Sequence, residues 1–292
     1  MNQKNPKPKW LSRKIPRPGL TARVTGMLED LSLHTVCQEA MCPNQGECFG
    51  RGTATFLLLG PNCTRRCTFC AVGKAQVRPP QHTEPERIAK AVSRLGLTFC
   101  VLTMVTRDDL PDGGAGHVAE TIAALREHCP GVGVEVLISD LGGSMTALTK
   151  VLESQPDVLN HNIETVPRLY PEIRPQADYG RSLDLLSKAN DFKPRPVTKS
   201  GMMLGLGETR EEILKAMDDL RTAGCDLLTL GQYLSPSEKH HPVACYVPPE
   251  VFDELKNQAL ERGFAGVASS PYVRSSYQAE KLFRLAAQKR TF

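Results

Sequence analysis

No stretch of this 292-residue chain is apolar for long. The run Phe56-Leu57-Leu58-Leu59 falls far short of the ~20 residues that span a bilayer, and no apolar segment follows the start to serve as a secretory signal. A soluble cytoplasmic protein with no membrane partner is expected. Low-complexity segments and internal repeats are lacking too. With 40% hydrophobic and 23% charged residues, disorder is excluded as the main state. Positive charge is not spread in the stripe that a nucleic-acid binder needs, so no nucleic-acid partner is expected. The net charge of +4 comes from the start of the chain, where Lys4, Lys7, Lys9, Arg13, Lys14, Arg17 and Arg23 all precede the first acid, Glu29. This arm also holds Pro6, Pro8, Pro16 and Pro18, and is expected to run extended, either solvated or against an acidic partner. A chain of this length buries roughly three quarters of its unfolded surface, so folding needs no disulfide or metal. Any metal present is there for chemistry.

Beyond residue 50, short β-rich runs alternate with amphipathic helical patterns, the sign of repeated βα units on a parallel sheet. Strands are expected at Thr55 to Leu59, Phe99 to Val105, Val132 to Ile138, Val158 to Asn162, Val197 to Leu204 and Leu227 to Gly231. Capping boxes at Thr83-x-x-Glu86 and Thr209-x-x-Glu212 open two of the intervening helices. Apolar spacing puts others at His117 to Glu127, Met145 to Glu153 and Arg181 to Ala189. Two more, Pro249 to Arg262 and Tyr277 to Ala287, flank a Gly- and Ser-rich loop. No GxGxxG follows the first strand, which speaks against an open dinucleotide-binding sheet. The fold class is therefore α/β, a partial (β/α)6 TIM-type barrel with N-terminal and C-terminal extensions. Its expected division is 1–50, 51–248 for the barrel, and 249–292. Catalytic groups in such barrels lie where the strands end.

The chain has 10 cysteines. In a reducing compartment such thiols stay available as ligands. Six are clustered, as Cys37-x4-Cys42-x5-Cys48 and Cys63-x3-Cys67-x2-Cys70, while Cys100, Cys129, Cys225 and Cys245 are read as small buried hydrophobes. The second cluster presents three thiolates in one loop without a fourth ligand at matching spacing. Structural zinc wants four protein ligands, whereas a cubane on three thiolates keeps one iron open for a small molecule. The first cluster matches neither zinc knuckles nor the ferredoxin run.

Cys63-Thr-Arg-Arg-Cys67-Thr-Phe69-Cys70 resembles the signature of radical S-adenosylmethionine enzymes. Preceded by the Cys37, Cys42 and Cys48 motif, and with RDDLPDGGAGH from Arg107, ETVPRLYPEIRPQADYGRSL from Glu164, KSGMMLGLGET from Lys199, LTLGQYLSPS from Leu228 and VRSSY from Val273, the chain resembles the lipoyl synthases over most of its length. The resemblance implies two 4Fe-4S clusters and S-adenosyl-L-methionine. Cys63, Cys67 and Cys70 would hold the radical-generating cluster, with Phe69 shielding it. Cys37, Cys42 and Cys48 would hold an auxiliary cluster, with Ser276 of the RSSY motif as fourth ligand. Cys63, Cys67, Cys70 and Ser276 are thus the expected catalytic residues, and all six cysteines with Ser276 the expected metal ligands. The oxygen of Ser276 is a poorer match to iron than a thiolate, which suggests a corner that is released easily. Read without the resemblance, Ser276 would cap the last helix.

The same resemblance implies insertion of two sulfurs at carbons 6 and 8 of an octanoyl chain bound to a carrier protein, with sulfur supplied by the auxiliary cluster. Octanoylated lipoyl domains of 2-oxoacid dehydrogenase subunits or the glycine cleavage carrier protein would be substrates, and a flavodoxin or ferredoxin the low-potential donor. An unactivated methylene has no acidic proton and no leaving group, so a radical route is required. Superfamily logic makes Thr106, Asp108, Asn162, Glu164, Gly205 and Glu208 candidates for binding the S-adenosylmethionine. Arg107, Asp109 and Asp112 also fit loop salt bridges, Lys199 either a substrate channel or solvent, and His240-His241 a surface loop. Two alternatives stay open: a sulfur-inserting radical enzyme acting on a small free substrate, and a two-cluster electron carrier.

Overall fold

The computed structural model describes residues 6–12, 19 and 21–290. One sheet organises them, in the order β1 (His34–Thr35), β2 (Thr55–Leu58), β3 (Phe99–Met104), β4 (Gly133–Leu137), β5 (Val158–Asn160), β6 (Val197–Leu204), β7 (Leu227–Gln232) and β8 (Gly266–Ser269). Strands β2 to β8 are parallel neighbours, and β1 pairs antiparallel with β2. Among the described residues β1 and β8 do not meet, so the barrel is incomplete. The expected strands correspond to β2 through β7. The sheet extends further at both edges, and part of the expected Gly- and Ser-rich loop is β8. Gly266 fits this strand because a Cβ there would lie 2.9 Å from Leu227 Cδ2.

Helices α1 (Ala22–Asp30), α2 (Val36–Glu39) and α3 (Gln45–Gly50) precede β2. After the successive strands come α4 (Glu84–Leu95), α5 (Ala115–His128), α6 (Met145–Glu153), α7 (Tyr170–Ile173) with α8 (Tyr179–Asp191), α9 (Arg210–Thr222), α10 (Pro249–Glu261) and α11 (Ala279–Arg290). The capping box at Thr209 is present, with the Thr209 side chain accepting from Glu212 N and the Glu212 carboxylate from Thr209 N. The one expected at Thr83 is not. Thr83 is already in the right-handed helical region and makes no side-chain cap. Glu84 instead turns inward, where its carboxylate accepts from Leu59 N at 2.9 Å and lies 2.6 Å from His117 Nε2.

Buried apolar side chains form one core between β2 to β4 and α4 to α6, and a second between β6, β7 and α9, α10. A third group joins Leu282 and Ala286 of α11 to Val158, Val197 and Leu227, the first residues of β5, β6 and β7. Helix α11 thus covers the amino ends of those strands, and its Phe283 ring lies 5.5 Å from that of Phe99 at the start of β3.

Within the barrel, Lys199 corrects both sequence expectations. Its side chain is fully buried, and its Nζ contacts Glu135 Oε1 and Oε2 at 2.8 and 2.9 Å. Asn160 Nδ2 adds a bond to Glu135 Oε1 at 2.9 Å. A bare ammonium in this setting would be prohibitively costly, so the carboxylate is its obligatory companion. Cys100, Cys129 and Cys225 are buried as expected, whereas Cys245 is exposed. Its segment docks by backbone, through Ala244 N to Gly205 O and Gln232 Nε2 to Cys245 O, which leaves the thiol outside. His241 also departs from expectation. It is held between Thr68 O, which its N–H reaches at 3.0 Å, and Glu172 Oε1, 3.3 Å from Nδ1. Of the basic arm, Lys7 and Lys9 are exposed and Arg23 bonds Arg94 O. Lys4, Arg13, Lys14, Arg17, Pro16 and Pro18 lie outside the described residues.

Candidate active site

After β2 the chain enters the left-handed region at Leu59 (φ 70°) and Gly60 (φ 86°), which launches the Cys63 loop from the carboxyl end of the strand. The loop closes on itself through Cys63 N to Gly73 O at 2.9 Å and Gly73 N to Pro61 O at 3.1 Å. Only glycine fits at 73, since a Cβ would lie 2.3 Å from Asn62 Oδ1 and 2.8 Å from Pro61 O. Thr64 ties the loop to the end of β3 by donating to Thr106 O from both N and Oγ1. On the far side Thr68 N donates to Ile173 O. Arg65, between the first two cysteines, is buried and bridges Asp108 and Asp140. Burial alone would raise the Asp140 carboxyl, but Arg65 holds it down to about 2.

The Cys37, Cys42 and Cys48 segment lies under residues more than 200 positions later. Asn44 Nδ2 donates to Tyr272 O at 2.7 Å, Tyr277 OH donates to Glu47 Oε1 at 3.1 Å, and Tyr272 OH bonds Leu11 O. A Cβ at Gly231 would lie 2.1 Å from Val273 O, so β7 accepts the RSSY segment only because that position has no side chain. Ser276 comes in this way to line the same cavity as the cysteines. Helix α11 begins at Ala279, which leaves Ser276 outside the position that would cap it.

Both cysteine sets face one cavity of about 670 Å³. Its lining includes Cys37, Cys42, Cys48, Cys63, Cys67, Cys70, Ser276, Phe69, Thr106, Asn162 and Glu164. Asp108, Gly205 and Glu208 are not among the lining residues. The Asp108 carboxylate is taken by Arg65, and that of Glu208 accepts from Gly205 N and Leu206 N, so each braces its loop. Arg107 pairs with Asp109, and Asp112 accepts from Gly114 N and Gly116 N and meets Lys150, as loop salt bridges should.

One lining residue had no signal of its own in the sequence. Arg174 is half-buried on the cavity wall with Cys67 and Glu164, its Nη1 donating to Asn162 O, Ile163 O and Tyr170 OH at 3.0 to 3.1 Å. Burial works against its charge, yet Tyr170, Glu164 and Cys67 raise its pKa. Its Nε and the nearby Asn162 Oδ1 are buried without a partner. Buried polar groups are nearly always satisfied, so a donor and an acceptor left open on one cavity wall call for a polar ligand there. Glu164, in the left-handed region at φ 63°, is raised by burial against the opposing pull of Arg174 and Asn162. Gly201 leaves room for this wall, because a Cβ would lie 2.5 Å from Thr229 Oγ1 and 3.0 Å from Asn162 Oδ1.

The donor set fits iron-sulfur groups. All six clustered cysteines are free, and thiolates are the donors that such groups take. Burial pushes the Cys37 thiol up to about 12 and Cys70 up to about 11, so occupancy by a cationic iron group must expel their protons.

The family model of the radical SAM superfamily matches residues 57–220, from β2 through α9. A lipoyl synthase of Trichlorobacter lovleyi is 56% identical over 274 residues, covering 94% of this chain and 97% of its own. One from Geobacter metallireducens is 54% identical over 275 residues, covering 94% and 96%. The chain belongs to the lipoyl synthase family. It is thereby a radical S-adenosylmethionine enzyme of the sulfur-inserting kind, and membership implies a 4Fe-4S cluster and S-adenosylmethionine. A lipoyl synthase of Caldanaerobacter subterraneus matches 96% of this chain at 53% identity, covering 98% of its own, so the shared region includes both cysteine loops and the RSSY segment.

Solved structures give the fold alone. Methylornithine synthase aligns at a TM-score of 0.55 and 14% identity over 94% of this chain and 90% of its own. Streptococcus suis SuiB bound to S-adenosylmethionine aligns at 0.58 and 13% identity over 73% of this chain and 49% of its own. No helix among the described residues is long and apolar enough to cross a membrane.

Proposed function

We propose that this lipoyl synthase family member inserts two sulfurs at carbons 6 and 8 of an octanoyl chain carried on a lysine of a lipoyl domain. The observation that supports this best is the single cavity lined by two separate cysteine triads and Ser276. When bound, a 4Fe-4S cluster on Cys63, Cys67 and Cys70 would supply the electron that activates S-adenosylmethionine, and one on Cys37, Cys42, Cys48 and Ser276 would supply sulfide. The protein's own part is placement, since the hard chemistry belongs to the cofactors.

Arg174 offers a half-buried cation for the carboxylate of S-adenosylmethionine, and Asn162 and Glu164 offer acceptors for its hydroxyls. Phe69 and Thr106 border the same space. The open edge between β1 and β8 gives a carrier-bound chain a way in, and the covered floor under α11 excludes water from below. By role, residues 1–50 carry the auxiliary cysteines, 51–248 the radical-generating barrel, and 249–292 the RSSY motif, with β8 of this last part extending the sheet. The location is cytoplasmic. Substrates are octanoylated 2-oxoacid dehydrogenase subunits or the glycine cleavage carrier protein, and a flavodoxin or ferredoxin supplies electrons.

The reconstituted, reduced protein is incubated with S-adenosylmethionine and an octanoylated lipoyl-domain peptide. A mass gain from two sulfurs is expected. Deoxyadenosine without sulfurated peptide would point to another substrate, and no deoxyadenosine would overturn the assignment of the Cys63 triad.

A further inference from the structure

Four consecutive strand-end regions at the carboxyl rim of the barrel are joined by one chain of alternating charges. Asp108, after β3, takes a two-pronged bond from Arg65, with Nε to Oδ2 and Nη2 to Oδ1 both at 2.8 Å. Arg65 sits in the loop after β2 and also reaches Asp140, after β4, at 2.6 Å. The other Asp140 oxygen accepts from Arg181 Nη1, near the start of α8, at 3.1 Å. Arg65 and Asp140 side chains are 6% and 0% exposed, whereas Asp108 is 41% exposed. None of the three lines the cavity. Arg65 therefore has no partner role toward substrate, and its burial inside the cysteine loop must be explained by what it holds.

What it holds is its own backbone. Arg65 N–H donates to Cys63 Sγ at 3.5 Å. An N–H aimed at a cluster thiolate stabilises the more negative, reduced state and so raises the reduction potential. A side chain fixed by two carboxylates from neighbouring loops anchors its own Cα, and so restrains the backbone that carries the amide.

We propose that Arg65, clamped by Asp108 and Asp140, is a positioning residue that keeps its amide on Cys63 Sγ and thereby sets the reduction potential of the group bound by the Cys63 triad. The inference rests on that triad holding the 4Fe-4S cluster. It predicts a sign that through-space charge does not. Replacing Asp140 or Asp108 by an amide deletes a negative charge, which by Coulomb's law alone would raise the potential. Releasing the clamp lowers it.

The test is a potentiometric titration of the reconstituted protein, followed by the electron paramagnetic resonance signal that changes when S-adenosylmethionine is added. In R65K and D140N the signal persists and the reduction equilibrium falls at least tenfold, about 59 mV for one electron. D108N, at the more exposed end, is read if either of those fails to assemble, and it shifts in the same direction. Asparagine variants that titrate at or above the wild-type potential with wild-type iron content overturn the proposal. A wild-type protein with no signal responsive to S-adenosylmethionine would instead sink the reading of the triad.

Discussion

Replacing Lys199 by methionine tests whether the barrel interior tolerates a lone charge. Among the described residues Glu135 has two side-chain partners, Lys199 Nζ at 2.8 and 2.9 Å and Asn160 Nδ2 at 2.9 Å, and both ion-pair side chains are fully buried. Lys199→Met leaves a carboxylate with one neutral donor in a dry interior. Removing one partner of such a pair costs about 3 to 5 kcal/mol, because the remaining charge is left uncompensated. The double variant Lys199→Met with Glu135→Leu removes both charges and keeps the volume, so it should recover most of that loss. Urea unfolding under anaerobic conditions, read by circular dichroism, gives the three midpoints. Because neither residue lines the cavity, the double variant should still form deoxyadenosine. A single variant within about 1 kcal/mol of wild type, or a double variant no better than the single, would refute the reasoning.

Other outcomes follow from the cavity and its walls. Cys63→Ala should abolish deoxyadenosine formation, whereas Cys37→Ala should retain part of it and lose sulfur insertion; identical behaviour in the two would remove the division of labour. Gly231→Ala drives a Cβ to 2.1 Å from Val273 O and should displace the RSSY segment, lowering iron from about eight toward about four per chain, with the Cys63 signal kept. His161 is buried, its Nδ1 donating to Ile138 O at 2.9 Å, and burial lowers its pKa from 6.5 to about 4. An unfolded chain takes up this proton before the folded one does. Stability is therefore complete above about pH 6.5 and declines as pH falls toward 4, by roughly 1.4 kcal/mol per unit, a slope that His161→Gln should flatten in urea midpoints.

The alternation of apolar runs marked β2 to β7 because each has enough β-branched or aromatic bulk to stand out, as Val197 to Leu204 does. Strand β8 has Gly266-Val267-Ala268-Ser269, with the glycine required by the crowding of Leu227 and Leu282, and so read as a loop. Glu84 looked like part of an ordinary helix start; its inward turn depends on Leu59 N and His117, far away in sequence. Lys199 looked like a channel or solvated residue for a similar reason, since its partner Glu135 is 64 positions earlier. The six cysteines were legible as candidate ligands because the ligands of one cluster are commonly spaced locally along a loop. Ser276 came only through resemblance, and Arg174 and the Arg65 clamp not at all, because each takes its meaning from groups that the fold assembles over long separations.

The fastening of Tyr272 and Tyr277 onto Glu47, Asn44 and Leu11 has a bearing on biogenesis. A nascent chain contains Cys63, Cys67 and Cys70 long before the ribosome has translated the segment that covers Cys37, Cys42 and Cys48. Both cysteine triads are thus on the chain well before the roof over Cys37, Cys42 and Cys48, which comes only with the last codons. A premature stop after α10 would remove that roof together with β8 and α11.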